Sequence, residues 1–259
     1  MREKERYIGV FDSGIGGLTV VKALLNKMPN ENIIFLADSK HMPYGDKTNK
    51  EILQYVKEDL EFLNKYELKS IVIACNTIDS VASKQIQKAS NVPVYGVIDA
   101  TANYSARSSK NNRIGVIATT ATINSNKYQE LIKRYNPSAK VFAKACPFLA
   151  PLIEDGKFDI GNQEMRYILE DYISPLLEEN IDTLVLGCTH YDLLLDIIND
   201  MYPELNIVSS SRCVINTLKK NVEANDNIHN EQLYFSTSDN IKFQEIASMF
   251  MGDIIVREK

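Results

Sequence analysis

SIVIACNTIDS, residues 70–80, runs from Val and Ile into a cysteine and then at once into Asn, Thr and Asp. A parallel strand covered on both faces reads as a near-continuous apolar run of this kind, without polar alternation. Cys75 has two readings. It is either the last buried residue of the strand, since free cysteine packs as a small hydrophobe, or a thiol at the rim of a pocket. A second stretch, LVLGC at 184–188, ends the same way, and Thr189 and His190 follow it where Asn76 and Thr77 follow the first.

Working outward, short apolar runs alternate with helix-like stretches, the pattern of α/β folds with parallel strands. The first series of strands is IGVF from 8, IIFLA from 33, IVIAC from 71 and VYGVI from 94; the second is IGVIA from 114, KVFAKA from 140, LVLGC from 184 and NIVSS from 206. Offsets from the first strand are 25, 63 and 86 in one series and 26, 70 and 92 in the other. Residues 17–28, 49–64, 78–89, 124–135, 162–178, 191–201 and 239–250 read as helices. The expected fold is therefore α/β, with two similar parallel-sheet domains related by a pseudo-two-fold and an active site in the cleft between them. Ligands of open parallel sheets bind beyond the carboxyl ends of the strands. Cys75 and Cys188 stand there in equivalent positions, and their matching polar suffixes favour the rim reading.

The bulk composition narrows the classes. The chain has 259 residues, 44% hydrophobic and 24% charged, with a net charge of −5. It is long enough for two domains, and it has no basic run to serve as a nucleic-acid footprint. No apolar stretch approaches the roughly 18 residues of a membrane helix, and the N-terminal MREKERYIGVF lacks the apolar core of a signal peptide. A soluble cytoplasmic protein is expected. Four cysteines (75, 146, 188, 213) without a C-x-x-C argue against disulfides. With His41, His190 and His229 the only histidines, a zinc site is not expected.

Two opposed thiols suit inversion of a stereocentre: one thiolate removes a proton from one face of a carbon and the other thiol returns a proton to the opposite face. His190 is placed to assist Cys188, or is an ordinary polar residue at a strand end. FDSGIGGLTV, at 11–20, puts a glycine turn before a helix whose N-terminus attracts an anion. The dinucleotide fingerprint fails there, because position 19 is Thr. Asp12 suits an ammonium group or a thiol needing basic help, so the two features together fit an amino acid; alternatively Asp12 and Ser13 are a helix N-cap pair. Pro43, Tyr44 and Gly45 form a turn, or a rim of backbone donors beside an aromatic wall. No phosphatase loop fits, since positions 81 and 194 are Val and Leu, and G-x-S-x-G and Walker motifs are absent.

FDSGIGGLTV, PYG, ACNT and GCTHY, in this order and spacing, resemble the glutamate racemases of the cofactor-independent aspartate/glutamate racemase family, and LYFSTSDNIKFQEIASMF resembles that family's ending. The resemblance covers essentially the whole chain. It implies racemisation of glutamate, supplying D-glutamate for peptidoglycan, with no cofactor and in a homodimer. Cys75 and Cys188 would be the catalytic acid/bases, supported by Asp12 and His190 respectively. Substrate would be bound by Asp12, Ser13, Pro43, Tyr44, Gly45, Asn76, Thr77, Thr122, Thr189 and His190, with Glu154 supporting the second thiol. The implied domains are 1–98 completed by 212–259, and 99–211. The chain departs from the family pattern at Ile78–Asp79, at Asp192 and at Ser209–Ser210. Negative charge at Asp79 and Asp192 is expected to raise the thiols' pKa. Racemisation of aspartate, or a binding role without turnover, are the alternatives.

Overall fold

The computed structural model describes residues 6–225, 230–238 and 241–259; His229 and the start of the helix expected at 239–250 lie outside them. Two all-parallel sheets carry the fold. The first half runs β1 (Tyr7–Asp12), α1 (Gly17–Lys27), β2 (Asn32–Ala37), α2 (Asn49–Leu63), β3 (Leu68–Ile73), α3 (Asn76–Ala89), β4 (Val94–Gly96) and α4 (Val97–Ser108). The second runs β5 (Arg113–Ala118), α5 (Thr120–Asn124), α6 (Lys127–Tyr135), β6 (Lys140–Ala145), α7 (Leu149–Glu154), α8 (Gln163–Leu177), β7 (Thr183–Gly187), α9 (Leu195–Met201), β8 (Asn206–Ser209) and α10 (Ser210–Asn221). The chain then adds β9 (Gln232–Ser236), α11 (Ile241–Met251) and β10 (Val256–Glu258).

The repeat seen in the sequence is a repeat of topology. One sheet has the order β10-β9-β2-β1-β3-β4 and the other β6-β5-β7-β8, so the series expected to match do match, strand for strand. The C-terminal strands extend the first sheet, with β9 pairing with β2. Central strands such as β2 and β7 are buried along their whole length, because helices cover both faces. Edge strand β6, KVFAKA, is only partly buried, which accounts for its lysines.

The fourth strand of each half is followed by a helix that leaves its own half. Helix α4 packs on α6, β7 and β8 of the second half, while α10 packs on α1 and β4 of the first. This exchange ties the halves together, and the apolar core beneath it is continuous, running from Ile8 and Leu24 through Ala102 to Val116, Val185 and Leu218.

Three local expectations are corrected. VYGVI is a strand only to Gly96; Val97 already opens α4, since the glycine ends the extended run as a helix N-cap. The helix expected at 124–135 is two, α5 and α6, separated at Asn126, whose φ of 56° lies in the left-handed region that Asn tolerates. The segment expected at 191–201 begins as a 3₁₀ turn over Thr189–Leu194 before α9.

Candidate functional site

In a sheet of order 2-1-3-4 the ligand site lies at the carboxyl ends of the first and third strands. Here those are β1 beside β3, and β5 beside β7. Both thiols stand just past these ends rather than within the strands: β3 stops at Ile73 and β7 at Gly187. Cys75 is the extended N-cap of α3, and Cys188 the extended residue before the 3₁₀ turn. Each is only 6% exposed.

Around Cys75, the Ile78 amide donates to the sulfur and the Ser13 hydroxyl lies 3.3 Å from it. Burial, and then the charge of Asp12, push this thiol up to about 12; the charge of Cys188 adds to the rise, so the two sulfurs feel each other. Asp12 is fully buried. Its Oδ1 accepts from the Gly14 amide at 2.9 Å and from Ser13 at 3.3 Å; its Oδ2 accepts the Thr189 hydroxyl at 3.0 Å, a bond between the halves. Burial raises its pKa, against the opposing pull of His190 and these donors. Neither Asp12 nor Ser13 caps α1, whose N-cap is Gly16.

Around Cys188, His190 Nδ1 lies 3.6 Å from the sulfur and Nε2 lies 3.0 Å from Glu154 Oε1. Burial disfavours the charged ring, but the hydrogen bonds to Cys188 and Glu154 outweigh it and lift His190 well above the ordinary imidazole value. The ring thus lies between a thiol and a carboxylate, touching one with each nitrogen. Gly16 brings α1 against this turn: a Cβ there would stand 2.5 Å from Thr189 Oγ1 and 2.6 Å from His190 Nδ1.

The remaining predicted residues gather nearby. Thr77 Oγ1 lies 3.0 Å from Thr119 Oγ1 and 3.4 Å from Thr122 Oγ1, across the halves. The backbone of Gly45 faces Thr119, 3.5 Å from where its Cβ would stand. Tyr44 is buried, and its hydroxyl donates to Asp38. Pro43, before that turn, is exposed. Asn76 accepts from Tyr128 at 2.6 Å and donates to Ser210 at 3.4 Å. Sequence reasoning missed Thr119 and Asp38. The first was findable: the repeat offset between IGV at 8 and at 114 sets Thr119 opposite Ser13. Asp38, which anchors Tyr44 and His41, has no counterpart signal.

The expectation for Asp79 and Asp192 is corrected by where their carboxylates go. Asp79 accepts from the Ile98 amide at 2.7 Å, and the charges that raise Cys75 are those of Asp12 and Cys188. Asp192 accepts from Ser209 at 2.8 Å and from the amide and hydroxyl of Ser211, and its charge acts on Cys213. Burial lifts the two carboxyls themselves, to about 7 and about 6. Among the described residues no three His, Cys, Asp or Glu gather as a metal-binding group. No described helix is long and apolar enough to cross a membrane.

Fold and site together define a two-domain α/β enzyme whose chemical groups sit between pseudo-equivalent strand ends. Residues 18–218 match the model of the Asp/Glu/hydantoin racemase family. A glutamate racemase from a Sulfurihydrogenibium species is 40% identical over 248 residues, covering 95% of this chain and 94% of its own. A glutamate racemase isoform from Bacillus anthracis superposes with a TM-score of 0.92 at 35% identity, covering 99% of this chain and 98% of its own. The Francisella tularensis glutamate racemase, solved in complex with D-glutamate, gives 0.90 at 34% identity, with the same coverages. The chain belongs to the Asp/Glu/hydantoin racemase family, and is by class a racemase, an isomerase.

Proposed function

We propose that this protein interconverts L- and D-glutamate, with Cys75 and Cys188 as the two acid/bases. The observation that carries the reading is that each thiol has its own helper set: Ser13, Asp12 and the Ile78 amide for Cys75, His190 and Glu154 for Cys188. In one direction the Cys75 thiolate takes the proton from Cα, the C–H electron pair remains as a carbanion, and the Cys188 S–H delivers a proton to the other face. In the reverse direction the roles exchange. A substrate ammonium beside Asp12 would offset the negative charge that now raises Cys75. Asn76, Thr77, Thr122 and Thr189, with Ser13 and the Tyr44 and Gly45 amides of the turn that Pro43 opens, supply donors for the carboxylates. Names and substrates of the relatives favour glutamate. Supply of D-glutamate for peptidoglycan, a cytoplasmic homodimer, and domains 1–98 with 212–259 and 99–211 belong to the same proposal, the last supported by the pairing of β9 with β2.

The test is incubation of the purified protein with L-glutamate in deuterated water, following circular dichroism and α-deuterium. Loss of optical activity with incorporation of label is expected, and Cys75→Ser and Cys188→Ser are expected to cut it by about 10²–10⁴-fold. Exchange on L-aspartate instead would move the substrate and keep the mechanism. Full turnover in either serine variant would overturn the two-thiol reading.

A further inference from the structure

Asp79 and Asp192 each stand four residues after a thiol. Each carboxylate is buried, and each accepts a hydrogen bond from the second backbone amide of the helix that leaves its half: Ile98, two past the α4 cap Gly96, and Ser211, two past the α10 cap Ser209. The correspondence is complete in sequence position, acceptor role and donor position, although the two caps differ chemically. Helix α4 lies on the second half and α10 on the first. Each thiol-bearing turn is therefore fastened to a helix that packs on the opposite half and on its counterpart, α4 against α10. The fastening is close to the sulfur on both sides. Asp79 adjoins Ile78, whose amide donates to Cys75, and the Asp79 amide itself bonds the Cys75 carbonyl at 2.9 Å. Asp192 directly follows the turn in which the Tyr191 amide bonds the Cys188 carbonyl at 3.0 Å. At Gly96 there is no room for a side chain: a Cβ would lie 2.2–2.5 Å from the Asp79 carboxylate.

We propose that Asp79 and Asp192 are a matched pair of positioning residues that set each thiol against the opposite half of the protein through the first turns of α4 and α10. The inference rests on the two-thiol reading above. It distinguishes these residues from ordinary caps, which would hold a helix end without regard to the thiols.

The test measures kcat in both directions, melting temperature, and the alkylation rate of each cysteine by iodoacetamide and peptide mass spectrometry. Variants are Asp79→Ala, Asp79→Asn, Gly96→Ala, Asp192→Ala and Asp192→Asn. The alanine variants at both aspartates, and Gly96→Ala, are expected to lower kcat by about ten- to a hundredfold with KM little changed, since an ångström of misplacement costs about that much. The asparagine variants keep an amide oxygen for the same donor and are expected to recover most of kcat. Alkylation is expected to change at Cys75 alone for Asp79→Ala and Gly96→Ala, and at Cys188 alone for Asp192→Ala. General loosening would move both thiols together, and that result, or unchanged kcat in a folded alanine variant, overturns the proposal. Should an alanine variant fail to fold, the folded Gly96→Ala and asparagine variants still decide through the same site-resolved alkylation. Cys75→Ser and Cys188→Ser run alongside separate the two readings: full turnover in either sinks the two-thiol mechanism, whereas their inactivity beside unchanged aspartate variants sinks only the positioning role.

Discussion

Gly16→Ala should damage catalysis out of proportion to its size. The added Cβ would stand 2.5 Å from Thr189 Oγ1, 2.6 Å from His190 Nδ1 and 2.9 Å from the His190 amide nitrogen. Ordinary contacts begin at 3.4 Å, so the 189–190 turn must retreat by about 0.9 Å. None of the three atoms is the loose end of a long side chain; the turn moves as a unit or the halves part. Either movement stretches the 3.0 Å bond from Thr189 to Asp12 and the 3.6 Å contact between His190 and Cys188. A misplacement near 1 Å corresponds to about a hundredfold in kcat, and overpacking costs about 1–3 kcal/mol in stability. The assay is kcat for L- and D-glutamate with thermal unfolding on the same preparations. Gly9→Ala is the control, because its Cβ would come no nearer than 3.4 Å to Leu68 side-chain atoms and 3.8 Å to the Ser70 carbonyl, both ordinary contacts. A folded Gly16→Ala enzyme within threefold of the parent would refute the idea that this close approach holds His190 in register.

Glu154→Gln removes a carboxylate that raises His190 and whose 3.0 Å contact with Nε2 orients the ring against Cys188; kcat in both directions is expected to fall about tenfold, which steady-state kinetics would show. Lys259→Met leaves buried Asp59 without the ammonium 3.0 Å away. Burial, with Asp38's charge, already lifts Asp59 from 3.8 to about 7, so its contribution to stability is present at low pH and lost as pH rises through that range. The variant should match the parent near pH 5 and lose about 2–3 kcal/mol at pH 8 in urea unfolding; an equal loss at both pH values would contradict it. Tyr128→Phe deletes the 2.6 Å bond that orients Asn76, and is expected to cost about 1–2 kcal/mol. It should also raise KM for glutamate about threefold, which steady-state kinetics would show.

The pairing of Asp79 with Ile98 and of Asp192 with Ser211 shows how departures from a family pattern are absorbed. Placed by sequence alone, these carboxylates sit beside the thiols and are expected to act on them by charge. Helix geometry turns them aside. A residue in the first turn of α3 or of the 189–194 turn points along its own element's surface, and the neighbouring helix end, rich in unpaired amides, captures it. The same competition explains why Ser209 stands where it does: it caps α10 and donates to Asp192.

Strand composition determined much of this protein. The Val/Ile runs, their two series and their offsets specify two parallel sheets, because a strand covered on both faces must be apolar throughout, and the repeat of offsets carries the topology with it. The polar suffixes at Cys75 and Cys188 marked the site, because strand ends are where backbone and side chains meet solvent and ligand. Helices α4 and α10 were not legible: VIDATANYSARS and SSRCVINTLKKN follow strands without a turn, so their first residues read as continued strand. The packing of those helices on opposite halves, the bond from Thr189 to Asp12, and the contacts that join Glu154, His190 and Cys188 were decided by tertiary structure. Each joins residues 36 or more positions apart or depends on which half a helix rests upon, apart from the two-residue step from Cys188 to His190. Local pattern constrains a residue's face and period; it holds no information on which distant surface will be pressed against it once the cores are filled.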